Sequence, residues 1–222
     1  GGATTYYLAN RIQQLPLALV ATAATSAVFP ALKALAHKRR LDDLRGLHDR
    51  THLAIGFISL PATAGLLTLA LPITAVLLER GEFSPEGTAR TALGLQVLAL
   101  ALVPAGAAGL MVRTYYALGD FRTPVRVSAW LLLLNFGLNL LFLVGLRLDI
   151  EGLALSTALV SWTNVVALLA GLRGRLPPVA AGAFLRRSAR LALATLACGA
   201  AAWGTHRLLG GDPRSPLALA AA

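Results

Sequence analysis

The sequence predicts an all-α protein that crosses a membrane several times, and three observations carry that prediction. Of the 222 residues, 56% are hydrophobic and only 14% are charged, which is far from the usage of a soluble globular domain. The apolar residues gather into runs long enough to span a bilayer core of roughly 30 Å, which takes about 20 residues per helix. The basic residues, finally, collect in alternate loops, as the positive-inside rule requires of a polytopic membrane protein.

Six segments reach spanning length, at about 4–30, 53–78, 91–117, 125–146, 152–172 and 188–209, and a seventh opens near Leu217. Pro16, Pro61, Pro72 and Pro104 fall inside them. Proline removes a backbone donor, so these segments predict kinked helices whose freed carbonyls are satisfied by neighbouring helices or by water in a cavity. Between the first two spans, LAHKRRLDDLRGLHDR sets Leu41, Leu44 and Leu47 at helical spacing among charges, predicting a helix over about 33–50 on the cytoplasmic surface. Its histidines, His37, His48 and His52, are read as solvated. Ser84 and Pro85 have the order of an N-cap and first helical residue opening the third span. Pro177 and Pro178 mark a linker. The chain thus divides into a bundle over residues 1–175 and a further helix pair over 176–222, cut short at its end. The start at Gly1 without Met, and the end within an apolar run, predict a piece of a longer protein.

The stretches 33–50, 113–126 and 173–190 hold 14 Lys+Arg and 4 Asp+Glu, against 5 and 6 in the stretches 79–90, 147–151 and 206–214. The first group belongs in the cytoplasm. Orientation accounts for the formal charge of +10, and no reason remains to invoke a nucleic-acid partner. The single cysteine, Cys198, excludes an internal disulfide, and no His/Cys cluster has metal-ligand spacing. No cofactor, nucleotide loop or catalytic grouping is indicated.

Arg11 is the sharpest feature, the one charge deep within an apolar segment, where an ionisable group is costly. Thr4, Tyr7, Arg11, Gln14, Thr22 and Thr25 fall within an arc of about 80° at 100° per residue, a polar stripe suited to a water-filled cavity or a polar partner helix. A planar guanidinium there can grip a phosphate or pyrophosphate with two donors, with Tyr7 and Gln14 as hydrogen-bonding partners. The other reading pairs Arg11 with an acid from a helix outside this chain. A second polar set lies on the fourth and fifth spans: Asn135 and Asn139 one turn apart, then Thr157, Ser161 and Asn164. These residues join helices by hydrogen bonds, or Asn135, Asn139 and Thr157 form a site for a monovalent cation coupled to transport, which without a carboxylate would be weak.

The run YYLANRIQQLPLALVATAATSAVFPAL, the turn LLERGEFS, the loop YYALGDFRTPVRV, the pair LNFGLNLLF and the start GLALSTALVSWTN, in this order, resemble the C-terminal half of the MurJ (MviN-type) lipid II flippases of the MOP exporter superfamily. The resemblance covers about residues 1–175. Its strongest part is the loop carrying Tyr116, Gly119, Asp120, Arg122, Thr123 and Pro124, which hydropathy does not dictate.

The resemblance implies the C-terminal lobe of a fourteen-helix bacterial inner-membrane protein, multi-pass and without enzymatic chemistry, whose N-terminal lobe lies elsewhere in the same chain. It implies lipid II, a peptidoglycan precursor on undecaprenyl pyrophosphate, as substrate, moved outward by alternating access as the lobes rock. Arg11 then matches a cavity arginine of the eighth helix. A flippase for another polyprenyl-linked glycan of the O-antigen type, or a non-transporting scaffold of the same fold, fits the same residues.

Overall fold

The computed structural model describes residues 2–18, 24–78, 85–148, 150–178 and separate positions between 189 and 205. Among them there is no strand. Seven helices have described bounds: α1 Gly2–Ala18, α2 Ala24–His37, α3 Leu41–Leu78, α4 Pro85–Ala99, α5 Leu102–Ala117, α6 Arg122–Leu140, continued by a π-helical turn Leu141–Gly145, and α7 Ile150–Arg173; the described positions between 189 and 205 are helical as well. Among the described residues, four rods are long and apolar enough to cross a membrane: Leu41–Leu78, Pro85–Ala117, Arg122–Gly145 and Glu151–Arg173. The chain is a multi-pass membrane protein by this measure. The first predicted span holds α1 and the start of α2, with residues 19–23 outside the described residues; of the sixth only separate positions are described, and the seventh lies outside the described residues.

The core gathers at two levels. One cluster joins Leu32 of α2, Leu44 and Ile55 of α3, Leu110, Met111 and Tyr115 of α5, and Leu168 and Leu172 of α7. The other joins Ala9 of α1, Leu66 and Ala70 of α3, Ala92, Leu95 and Leu98 of α4, and Ala154 of α7. The beginning of α3 therefore meets the ends of α5 and α7, so that consecutive rods alternate in direction. That alternation gathers the described parts of the basic loops, 33–50, 113–126 and 173–175, at one end of the bundle, the basic end. Leu191 lies beside Gly56 and Gly199 beside Ala64. Equal steps along both stretches make that last segment parallel to α3, as alternation demands.

Residues 33–50 do not form the separate surface helix that the charge pattern predicts. They are split between the end of α2, a turn, and the start of α3, which runs on unbroken for 38 residues. At 1.5 Å per residue that is about 57 Å, longer than a bilayer core, so its charged first turns extend α3 beyond the apolar layer. Asp42 and Asp43 in its first turn suit the positive end of the helix dipole. The turn itself closes α2 with Arg39 in the left-handed region at φ 55, while Arg39 N–H donates to Ala36 O and Arg40 N–H to Leu35 O, the two bonds of a Schellman cap. His37 is exposed, but His48 is only 3% exposed. The expectation that all three histidines are solvated is corrected there: Nδ1 of His48 lies 2.9 Å from Oγ1 of Thr114. Because the Thr114 hydroxyl donates to Leu110 O, the imidazole is the donor. Leucine spacing among charges hid the fact that His48 faces α5.

The third predicted span is a broken rod. Helix α4 ends at Ala99 and α5 begins at Leu102, with Pro104 unable to supply the amide that would close on Leu100. Three successive carbonyls at the break take side-chain donors from three other helices. Leu98 O accepts Nε2 of Gln13 at 2.6 Å, Ala99 O accepts the Thr63 hydroxyl at 3.4 Å, and Leu100 O accepts the Trp162 indole N–H at 3.2 Å. Pro85 is the first residue of α4, as the sequence predicts; Ser84 lies outside the described residues.

Candidate functional site

Helix α1 divides its side chains sharply between two faces. Tyr6, Ala9 and Gln13, at i, i+3 and i+7, turn inward: Ala9 is fully buried, Gln13 is 4% exposed, and Tyr6 packs against the Ala9 cluster. Thr4, Tyr7, Arg11 and Gln14 are all exposed on the other side. The structure thus keeps the described part of the predicted stripe together and turns it away from the core; Thr22 and the Thr25 side chain lie outside the described residues.

Within that stripe Arg11 and Tyr7, one turn apart, form a unit. Nε of Arg11 donates to the Tyr7 hydroxyl at 2.9 Å, and the guanidinium carbon sits 5.0 Å from the centre of the Tyr7 ring. The tyrosine thus supplies both a hydrogen bond and the negative face of its ring. Among the described residues no acid lies within ion-pair distance of Arg11, and its two terminal nitrogens have no protein partner. Such a fork, fixed at its base and open at its tip, fits an anion with two oxygens in a plane.

The second polar set separates into two groups. Nδ2 of Asn139 donates to Oδ1 of Asn135 at 3.0 Å, and the Ser156 hydroxyl donates to Oδ1 of Asn139, tying α6 to α7. Thr157 points elsewhere. Its hydroxyl donates to Leu153 O and lies 3.2 Å from the hydroxyl of Tyr6, which is therefore the donor in a link between α1 and α7. Asn135 and Asn139 are brought together, and Thr157 is not brought to them.

The loop singled out for its motif is a clasp at the basic end. Gly119 takes φ +80, a left-handed conformation that glycine adopts without penalty, and with Gly119 N–H on Tyr116 O and Asp120 N–H on Tyr115 O it closes α5 in a Schellman cap. Oδ1 of Asp120 then accepts the amides of Arg122 and Thr123, each at 3.0 Å, and so caps α6. Pro124 follows, buried, and Tyr116 stacks on Phe121 with centroids 5.1 Å apart. Arg175, which sequence reasoning missed, closes the clasp: it is ion-paired to Oδ2 of Asp120, donates to the Thr123 hydroxyl at 3.2 Å, and lies over the Tyr115 ring. The Tyr115 hydroxyl in turn donates to Leu168 O at 2.8 Å. It passes so close to Gly171 that a Cβ there would collide with it. The motif residues thus hold α5, α6 and α7 in register, with nothing in their geometry that calls for a ligand.

The sequence profile described as "Lipid II flippase MurJ" matches residues 1–218. The chain belongs to the MurJ family. Similar curated proteins include "Probable lipid II flippase MurJ" of Rickettsia prowazekii, 30% identical over 71% of this chain and 31% of that one. The protein of the same description from Helicobacter pylori strain J99 is 34% identical over 72% of this chain and 34% of its own length. That of Haemophilus influenzae is 27% identical over 91% and 40%. The chain therefore spans about a third of the length of the MurJ relatives it matches. A solved structure, "Lipid II flippase MurJ, inward closed conformation", superposes with a TM-score of 0.75 at 24% identity, covering 88% of this chain and 39% of the other, and supports the MurJ fold of this part.

Proposed function

We propose that this chain is the C-terminal lobe of a flippase that moves lipid II outward across the bacterial inner membrane by alternating access, with the N-terminal lobe of the same protein completing the cavity. The single observation that carries the reading is the Arg11–Tyr7 unit, set on the exposed face of α1 with its guanidinium tip open. In this reading Arg11 grips the pyrophosphate, Tyr7 steadies the guanidinium and Gln14 adds an amide to the head group, while the polyprenyl tail stays in lipid. The chemistry is binding and release, with no bond made or broken. The charge asymmetry supports placing the basic end in the cytoplasm. For Asn135, Asn139 and Thr157, the bonds within and between α6, α7 and α1 account for the side chains. A coupling cation at the asparagines would have to displace Ser156 from Asn139, and transport unaltered by replacing sodium would remove that role.

The test is the fraction of lipid II exposed on the outer face of cells depleted of their own flippase and expressing the full-length parent of this chain. Restored exposure that disappears with Arg11→Ala at equal protein level is expected. Arg11→Lys keeps the charge but loses the planar fork, so it should insert normally and transport poorly; full activity of that variant would overturn the two-donor grip. No restoration by a correctly inserted protein would point to another polyprenyl-linked glycan or to a scaffold.

A further inference from the structure

Gln13 stands next to the residue that the polar stripe singles out, on the opposite side of α1, and it anchors α1 to the broken rod. Its amide, 4% exposed, donates to Leu98 O at 2.6 Å. Two turns earlier on the same face, the Tyr6 hydroxyl donates to Thr157 on α7. At 100° per residue Tyr6 and Gln13 differ by about 20°, whereas Arg11 lies about 160° from Gln13. Two inward bonds, to two different helices, therefore fix the rotation of α1 about its own axis, and that rotation decides where Arg11 and Tyr7 point. A primary amide in an apolar surround has a strong need for its partner. Its acceptor also takes the Ala101 amide at 2.9 Å, in the tight turn where the rod breaks, so the site helix is registered against the one described interruption in the α4–α5 rod.

We propose that Gln13 is a positioning residue for the head-group site, with Tyr6 as its weaker companion: it acts through Arg11 by holding the rotational setting of α1. This rests on the reading of Arg11 as the anion-binding residue. Thr63 and Trp162 donate to the neighbouring carbonyls of the same break but lie on α3 and α7, so they serve the break without setting α1.

The test uses the full-length parent with Cys198 and every other native cysteine replaced by serine, with two readouts. The first is the rate at which a membrane-impermeant maleimide labels Arg11→Cys and Ala9→Cys. Gln13→Met, similar in size but without the donor, should slow labelling at position 11 and open position 9, while Thr63→Val should alter neither; Tyr6→Phe should act as Gln13→Met does, more weakly, and serves if Gln13→Met fails to insert. Unchanged labelling in both variants would overturn the proposal. The second readout is binding of undecaprenyl pyrophosphate. Gln13→Met should weaken it about fivefold, yet add nothing to the loss caused by Arg11→Ala, because two residues acting through one contact are not additive. Losses that multiply would show that Gln13 does not act through Arg11 and would also overturn it. Altered labelling in a parent that binds no such lipid would leave the positioning role standing and defeat the substrate reading.

Discussion

The two ends of the bundle are held together by different means. At the basic end, bulky side chains fill the space between helices: Leu32, Leu44, Ile55, Leu110, Met111, Tyr115, Leu168 and Leu172 are each at most 2% exposed. Side chains also bond there to one another across helices, Arg175 to Asp120 and Thr123, His48 to Thr114. At the opposite end alanines such as Ala9, Ala70, Ala92 and Ala154 let the helices approach closely. Polar links there reach backbone carbonyls, Gln13 to Leu98 O, Gln96 to Leu67 O and Thr63 to Ala99 O, beside two between side chains, Tyr6 to Thr157 and Ser156 to Asn139. The difference separates holding from aiming. The basic end fixes which helices are neighbours, and the opposite end, where α1 sits, fixes how closely and at what rotation they meet.

That contrast can be broken most forcefully at Tyr115. Tyr115→Ala empties the middle of the basic end and removes the bond to Leu168, and should cost about 3–5 kcal/mol of stability, read as loss of cooperative thermal unfolding in detergent. A loss under about 1 kcal/mol would mean that this end is not the anchor. Next, Asp120→Ala uncaps α6 and strands Arg175, with an expected cost of about 1–3 kcal/mol. In a cycle with Arg175→Ala, the coupling should be no more than about 1 kcal/mol, because the pair is partly open to water; full additivity would show that Asp120 acts through its cap alone. At the opposite end Trp162→Phe leaves Leu100 O without its donor and should cost about 1 kcal/mol, measured in the same way. The smallest effect belongs to Arg40→Ala, whose partner Asp43 is half exposed at 49%. That change should stay within about 0.5 kcal/mol, and a larger value would extend the anchored region to the α2–α3 turn.

Much of this was legible in the residues. Apolar run length and loop charge gave an all-helical membrane chain of alternating rods, because in a bilayer those two quantities are the dominant constraints. The Arg11–Tyr7 unit was legible because it is local, one turn of one helix. Pro104 foretold freed carbonyls taken by neighbouring helices, although not which donors would take them. What escaped depends on contacts distant in sequence. Arg175 meets Asp120 across 55 residues, and a charge at the end of a span looks alike whether it is clasped or solvated. His48 was misjudged because the α3 face it occupies is decided by α5. Gln13 and Gln14 are adjacent and chemically identical, and only the pattern Tyr6, Ala9, Gln13 at i, i+3, i+7 could have marked the first as inward-facing.

One consequence of the break in the α4–α5 rod is optical. The indole N–H of Trp162 is bonded to Leu100 O while the residue itself remains 49% exposed, so its ring straddles backbone and surroundings at the point where the rod is interrupted. Any rearrangement that closes or opens that interruption must make or release this bond and shift the wavelength and intensity of the indole's emission. With Trp130 and Trp203 replaced by phenylalanine, Trp162 would be the single tryptophan of this sequence, placed at its most informative joint, and the geometry of the break could be followed in real time without attaching a dye.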